Sequence, residues 1–150
     1  MKEYYSINEL AMITSLTTRT LRNHLRQGTL NGEKVDGAWR FTPEDVDAFM
    51  AQPSVRGSIQ ANHNAVVFDF LSDTAKRQSR ACVILDYAVD MAQAARISAF
   101  YCDRVNAAHD VQLRINQHRG VTRVILSGGE DTVAGIMKSY YQEDSSLRSE

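Results

Sequence analysis

The chain has 150 residues, 43% hydrophobic and 23% charged, enough for one ordinary domain or two small ones. No apolar run approaches the ~20 residues of a membrane span, and the opening MKEYYSINEL lacks a signal-peptide core, so a cytoplasmic protein with no membrane partner is expected. A formal net charge of −1 argues against indiscriminate coating of nucleic acid but leaves local patches open.

Ser6 to Glu9 (SINE) is a capping box, in which the Ser6 hydroxyl and the Glu9 carboxylate each accept from the other residue's amide. It starts a helix that buries Ile7, Leu10 and Ala11 and ends near Thr14. After a short break Thr17 caps a second helix to about Gln27, which Gly28 stops with a left-handed residue. EKVDGAWRF then reads as two short strands around Asp36-Gly37, a dipeptide suited to a type I′ turn. Thr42 and Pro43 open a third helix with Val46, Phe49 and Met50 at helical spacing. Residues 51–62 lose periodicity and carry Pro53 and Gly57, which predicts a linker over 53–62 between an N-terminal unit (1–52) and a second unit (63–142).

In the second unit, HNAVVFDFLS puts Val66, Val67, Phe70 and Leu71 on one helix face but also passes as a strand; a helix is favoured. RACVILDY, from Arg80 to Tyr87, is a buried strand by its continuous apolar run. Residues 89–107 form a helix with a bulky face (Ile97, Phe100, Tyr101, Val105) and a small one (Ala92, Ala95, Ala99, Cys102). VQLRINQ alternates strictly, and HRG joins it to VTRVILS as a hairpin. Val133, Ile136, Met137 and Tyr140 mark a closing helix, and residues 143–150 are expected to be a disordered polar tail. The expected fold is α+β: a winged helix-turn-helix followed by a small β-α-β-β-α unit with a three-stranded sheet.

The second helix carries the functional signal. With Leu21 at the centre of a helical wheel, Leu25 lies beside it, while Arg19, Arg22, Asn23 and Arg26 cluster on the opposite side. The leucines must bury, so the arginines face out. Helix, three-residue break and helix with outward arginines is a helix-turn-helix, whose second helix enters the major groove. From Thr17 to Arg40 five basic residues (Arg19, Arg22, Arg26, Lys34, Arg40) stand against two acids (Glu33, Asp36). The hairpin behind it makes a wing that can lay Lys34, Trp39 and Arg40 along phosphates or a minor groove.

From Tyr4 to Met50, the order SINELA, TTRTLRNHLRQGTL and GAWRFTPEDVDAF resembles the DNA-binding domain shared by MerR-type regulators and excisionase-like proteins. The resemblance implies that Thr17, Thr18, Arg19, Arg22 and Asn23 lie nearest the DNA, with Arg40 as the wing arginine. Two departures stand out: nothing from 51 to 79 reads as the long dimerisation helix of MerR-type regulators, and metal-placed cysteines are absent. The second half is similar to small C-terminal domains behind such heads in bacterial regulators and names no ligand.

Other chemistry is sparse. His24, His63, His109 and His118 lie far apart with no HxxxH or HExxH, and surface or structural roles are expected for them. Cys82 and Cys102 read as buried free thiols. SGGED (127–131) offers backbone amides to a phosphate, but Glu130 and Asp131 in the first helical turn repel an anion. With no nucleophile–base pair or metal set, no enzyme activity, metal or cofactor is expected. The sequence therefore predicts a transcriptional regulator of double-stranded DNA, with residues 17–27 in the major groove and 33–41 as a backbone-touching wing. The alternatives are an excisionase-like architectural protein, or a sensor of an unknown small-molecule effector with DNA binding as its output. One recognition helix buries too little DNA for tight specific binding, which predicts a homodimer through residues after about Asn62. The best stripe for it is Ala92, Ala95 and Ala99, unless a helix at 65–71 covers that stripe.

Overall fold

Ser6 Oγ accepts from the Glu9 amide at 3.1 Å and Glu9 Oε1 from the Ser6 amide at 3.0 Å, opening α1 (Ile7–Thr14) with the expected box. The structure, a computed structural model, describes residues 3–148. Ser15, with φ 62°, ends α1, and Thr17 opens α2 (Thr18–Gln27) by accepting from the Thr20 amide. Gly28 has φ 79°, and its amide and those of Thr29 and Leu30 return to the Leu25 and His24 carbonyls. β2 (Glu33–Val35) and β3 (Ala38–Phe41) join through Asp36 (φ 51°) and Gly37 (φ 81°), the two left-handed residues of a type I′ turn. A two-residue strand, β1 (Tyr5–Ser6), pairs with β3 on its other side, giving the sheet order β1-β3-β2. α3 (Pro43–Ala51) starts with a second capping box, between Thr42 and Asp45.

The chain then departs from the reading of 53–62 as a linker. It forms the first half of α4 (Pro53–Ser72), a continuous 20-residue helix that also settles the ambiguous 64–71 as helical. Pro53 sits in the first turn, where its missing amide costs nothing. Val55, Ile59, His63 and Val66 recur at helical spacing and are buried. Gly57 lies on the exposed side with open space around its Cα. Three or four inward residues per two turns suffice to anchor the helix; the intervening Ser, Gln and Asn hid that stripe in the sequence. A long helix does therefore lie between 51 and 79.

β4 (Arg80–Ala88), α5 (Met91–Ala107), β5 (Val111–His118), β6 (Val121–Gly129) and α6 (Glu130–Arg148) complete the β-α-β-β-α unit. Both strand pairings are antiparallel and the order is β4-β6-β5. α6 follows β6 without a loop, and its backbone is helical to Arg148, so 143–148 continue the helix rather than forming a disordered tail. Residues 149 and 150 of that expected tail lie outside the described residues.

Ile97, Tyr101 and Val105 of α5 and Val133 and Ile136 of α6 are buried with Leu113, Val124 and Leu126 of the sheet. At the β5 edge the sheet meets α1 and α3. The buried residues of both halves form one cluster, from Tyr5 and Leu10 through Val55 and Ile59 to Ile136. This docking changes the small-residue stripe of α5. Ala99 and Cys102 are buried, Ala95 and Ser98 face Tyr5, Ile13, Val46 and Met50 across a narrow gap, and Ala92 is exposed. The N-terminal unit of the same chain occupies most of the stripe expected to seat a second copy.

Candidate nucleic-acid interface

Leu21 is 0% exposed and Leu25 packs partly buried against the same core, which fixes the rotation of α2 about its axis. Thr17, Arg19, Arg22, Asn23 and Arg26 are therefore exposed, with Thr18 half-buried at the start of the helix. His24 on the flank of α2 holds it down: its Nδ1 is 2.7 Å from Thr29 Oγ1, and its ring meets Phe49 edge-on at 5.1 Å. The arginine cluster expected from the helical wheel is thus on the surface, on one side of one helix.

In the wing, Lys34 lies opposite Trp39 and Glu33 opposite Arg40. Both wing cations stand over aromatic rings. Lys34 Nζ is 5.7 Å from the Trp39 ring centre and the Arg40 guanidinium 5.6 Å from that of Tyr4. Trp39 stacks on the buried Phe41 at 6.4 Å, so the wing is tied to the core. Tyr4 was not foreseen as part of this surface; β1, which brings it beside Arg40, has no signal in the sequence beyond the doublet Tyr4-Tyr5.

A second set of residues positions α1 and α2 without joining the surface. A helix leaves its last carbonyls without intrahelical partners, and three around the end of α1 receive side chains from far along the chain. Arg114 Nη1 donates to Met12 O at 2.9 Å, His63 Nε2 lies 2.9 Å from Ile13 O, and Asn62 Nδ2 donates to Ser15 O at 3.4 Å. Gln52 donates to Thr29 O at the far end of α2, and Asn106 to Glu9 Oε2 at 3.2 Å. Sequence reading missed Asn62, Gln52, Arg114 and Asn106; His63 carried one usable signal, its helical spacing with Ile59 and Val66. Burial, with the Arg114 charge, lowers the His63 pKa to about 4, so the ring is neutral here at physiological pH. Burial also lowers the pKa of Arg114, while burial and the Glu44 charge raise that of Asp47 on α3 to about 6.

Among the described residues no group of three or more His, Cys, Asp or Glu is placed to hold a metal ion, and no helix is long and apolar enough to cross a membrane. A family model described as a helix-turn-helix domain matches residues 4–54, about a third of the chain. The match covers α1, α2, the wing and α3, and supports DNA binding by this segment. No curated protein and no solved structure matches the chain.

Proposed function

We propose that the protein is a sequence-specific transcriptional regulator that places α2 in the major groove of double-stranded DNA and the wing on the adjoining backbone. The single observation behind this reading is the presentation of Arg19, Arg22, Asn23 and Arg26 by a helix whose opposite side is anchored by the fully buried Leu21. Arg19 and Arg22, near the N-terminal half of α2, have the reach and the forked donors to read base edges. Arg26, Lys34 and Arg40, with Trp39 beside them, suit phosphates and set register. Regulation is favoured over an architectural role because the head is not a free module: its core continues into a body that is larger than itself. Two heads acting together, as a homodimer on paired half-sites, would supply the DNA contact area that one recognition helix lacks.

The test is selection of duplexes from a random pool by the purified chain, then titration of the selected site. Arg19→Ala and Arg22→Ala should each weaken that site by about 1–3 kcal/mol relative to other sequences. Arg26→Ala and Lys34→Ala should weaken all sequences alike and reduce the salt slope by about 1 each. Folded Arg19 and Arg22 variants that bind as the native chain does would overturn the assignment.

A second reading, DNA binding tuned by a small molecule, is favoured by one feature. A cleft of about 490 Å³ lies where Asp47 of the head and Arg56 of α4 face Val89, Met91, Arg119 and Val121 of the body. A ligand there would touch both units and bias their docking. A metabolite mixture that shifts DNA affinity in the native chain but not in Asp47→Asn would support it.

A further inference from the structure

We propose that two copies of this chain pair edge to edge through β4, forming one six-stranded antiparallel sheet with a DNA-binding head at each end. The use of this pairing rests on the regulator reading above; the pairing itself does not.

β4 is an edge strand, with β6 on one side in an unbroken register from Arg80–Gly129 to Ala88–Val121 and, among the described residues, no strand on the other. Natural sheets blunt such edges with charged side chains, lysine above all, or with proline, a bulge or a covering helix. The two charges of β4, Arg80 and Asp86, are already paired with Asp110 and Arg123. The nine residues of β4 contain no Pro, Gly or Lys, and the register leaves no room for a bulge. The other edge, β5, has the covering elements, α1 and α3. At mid-strand Ile84 is 50% exposed, although Ile125, its cross-strand neighbour, is only 3% exposed.

Charge selects the occupant and the register. Arg80, Cys82, Ile84, Asp86 and Ala88 share one face of the strand, with Arg80 and Asp86 three residues either side of Val83. An antiparallel pair of β4 strands with Val83 on the two-fold axis sets Arg80 of each copy opposite Asp86 of the other. Cys82 then falls opposite Ile84. Arg123 Nε and Nη2 already donate to Asp86 at 2.8 and 2.9 Å, and Arg80 Nη1 to Asp110 Oδ1 of its own chain at 3.2 Å. In the pair Arg80 would therefore stand between two carboxylates, Asp110 of its own chain and Asp86 of the second copy. Arg123, Asp86 and the second copy's Arg80 would alternate in sign across three adjacent strands, a favourable cross-strand arrangement. Moving the axis to Ile84 sets Arg80 opposite Ala88 and loses both pairs. β4 is thus self-complementary in one register, which fits a second copy better than an unrelated strand.

The geometry also suits DNA. At ~4.8 Å per strand, the two β5 strands of a six-stranded sheet lie about 24 Å apart. Each head sits at its own β5 edge, so the two recognition helices would be tens of ångströms apart, the scale of the ~34 Å between half-sites one turn apart. A two-fold axis perpendicular to the sheet keeps both heads on the same side of it.

Light scattering on the full chain at micromolar concentration should give the mass of two copies. Arg80→Glu should raise the dimer dissociation constant about tenfold or more, while Arg80→Lys stays within about threefold; thermal melting confirms that both variants fold. Under mild oxidation Ile84→Cys should form an intermolecular disulfide with the native Cys82, since directly opposed residues lie within the ~4.4–6.8 Å Cα separation a disulfide tolerates. Adding Cys82→Ser should abolish it. A monomeric native chain overturns the proposal, and so does a dimer indifferent to Arg80→Glu that gives no such crosslink, for instance one formed through Phe68 and Leu71, each 67% exposed on α4. The DNA reading fails separately: a β4 dimer that retains no duplex sinks that reading and leaves the pairing standing.

Discussion

The imidazole of His63 meets the carbonyl of Ile13 at 2.9 Å, across fifty residues of chain, at the last turn of α1, the helix that precedes α2. Arg114 reaches Met12 O from the body sheet and Asn62 reaches Ser15 O from α4. The helix-turn-helix therefore takes its turn geometry partly from residues outside the segment that forms it. Whatever shifts the body relative to α1 shifts the support of α2.

His63 makes stability depend on pH. Its folded pKa, about 4, lies below the ordinary 6.5 because burial disfavours the imidazolium. On acidification the unfolded chain takes up the proton first, so this contribution is complete above about pH 6.5 and is lost as pH falls towards 4. Linkage limits the loss to about 3 kcal/mol. His63→Gln, which keeps a donor for Ile13 O, should flatten the acid limb between those values. Urea unfolding midpoints at pH 7 and pH 4.5 would check it; parallel pH profiles for the two proteins would reject it.

Asp47 acts with the opposite sign. Burial and then Glu44 raise its folded pKa to about 6 from 3.8, so its ionisation costs stability in full above about pH 6 and nothing below about 3.8. Asp47→Asn should stabilise the chain by about 1–2 kcal/mol at pH 7.5, less than the linkage ceiling because the carboxyl keeps some solvent. The gain should vanish at pH 4. A variant no more stable than the native chain at pH 7.5 would contradict this.

Arg114→Met keeps the apolar stem and removes the bond to Met12 O. Among the described residues Arg114 Nε has no partner, so the half-buried cation is incompletely satisfied, and replacing it should change stability by no more than about 1–2 kcal/mol. The effect should instead be local: faster amide hydrogen exchange at residues 12–17 and several-fold weaker DNA binding, with α5 and α6 unaffected. Unchanged exchange at the α1–α2 turn would show that Arg114 does not hold it.

Gly37→Val forces a β-branched residue to φ 81°, a region such side chains resist. Nothing lies within 4 Å of the added Cβ, so the strain is in the backbone alone. The wing should distort, moving Lys34 and Trp39, and DNA affinity should fall while far-ultraviolet circular dichroism of the helices stays as in the native chain. Native affinity in this variant would mean that the wing does not contact DNA.

The readable part of this protein is the part made by short-range chemistry. The capping box of Ser6 and Glu9, the Thr17 and Thr42 caps, the Gly28 stop and the Asp36-Gly37 turn each depend on atoms within three or four residues, so residue type and spacing determined them. The same holds for the outward arginines, whose direction follows from Leu21 and Leu25 and the helical period. β4, β5 and β6 showed themselves through apolar runs and alternation, but β4 is a half-exposed edge strand rather than the buried strand its apolar run suggested, because only one neighbour, β6, pairs with it. Tertiary structure alone decided the rest. α4 is a helix where composition suggested a linker because Val55, Ile59, His63 and Val66 bury against partners the local sequence does not name. Most of the small-residue stripe of α5 is occupied by the head, with Ala92 left exposed, and β1 exists only because β3 lies beside it. Arg114, His63 and Asn62 act on carbonyls 47 to 102 residues away. A backbone carbonyl looks the same at every position in a sequence, so which side chain satisfies it depends on how the two halves dock.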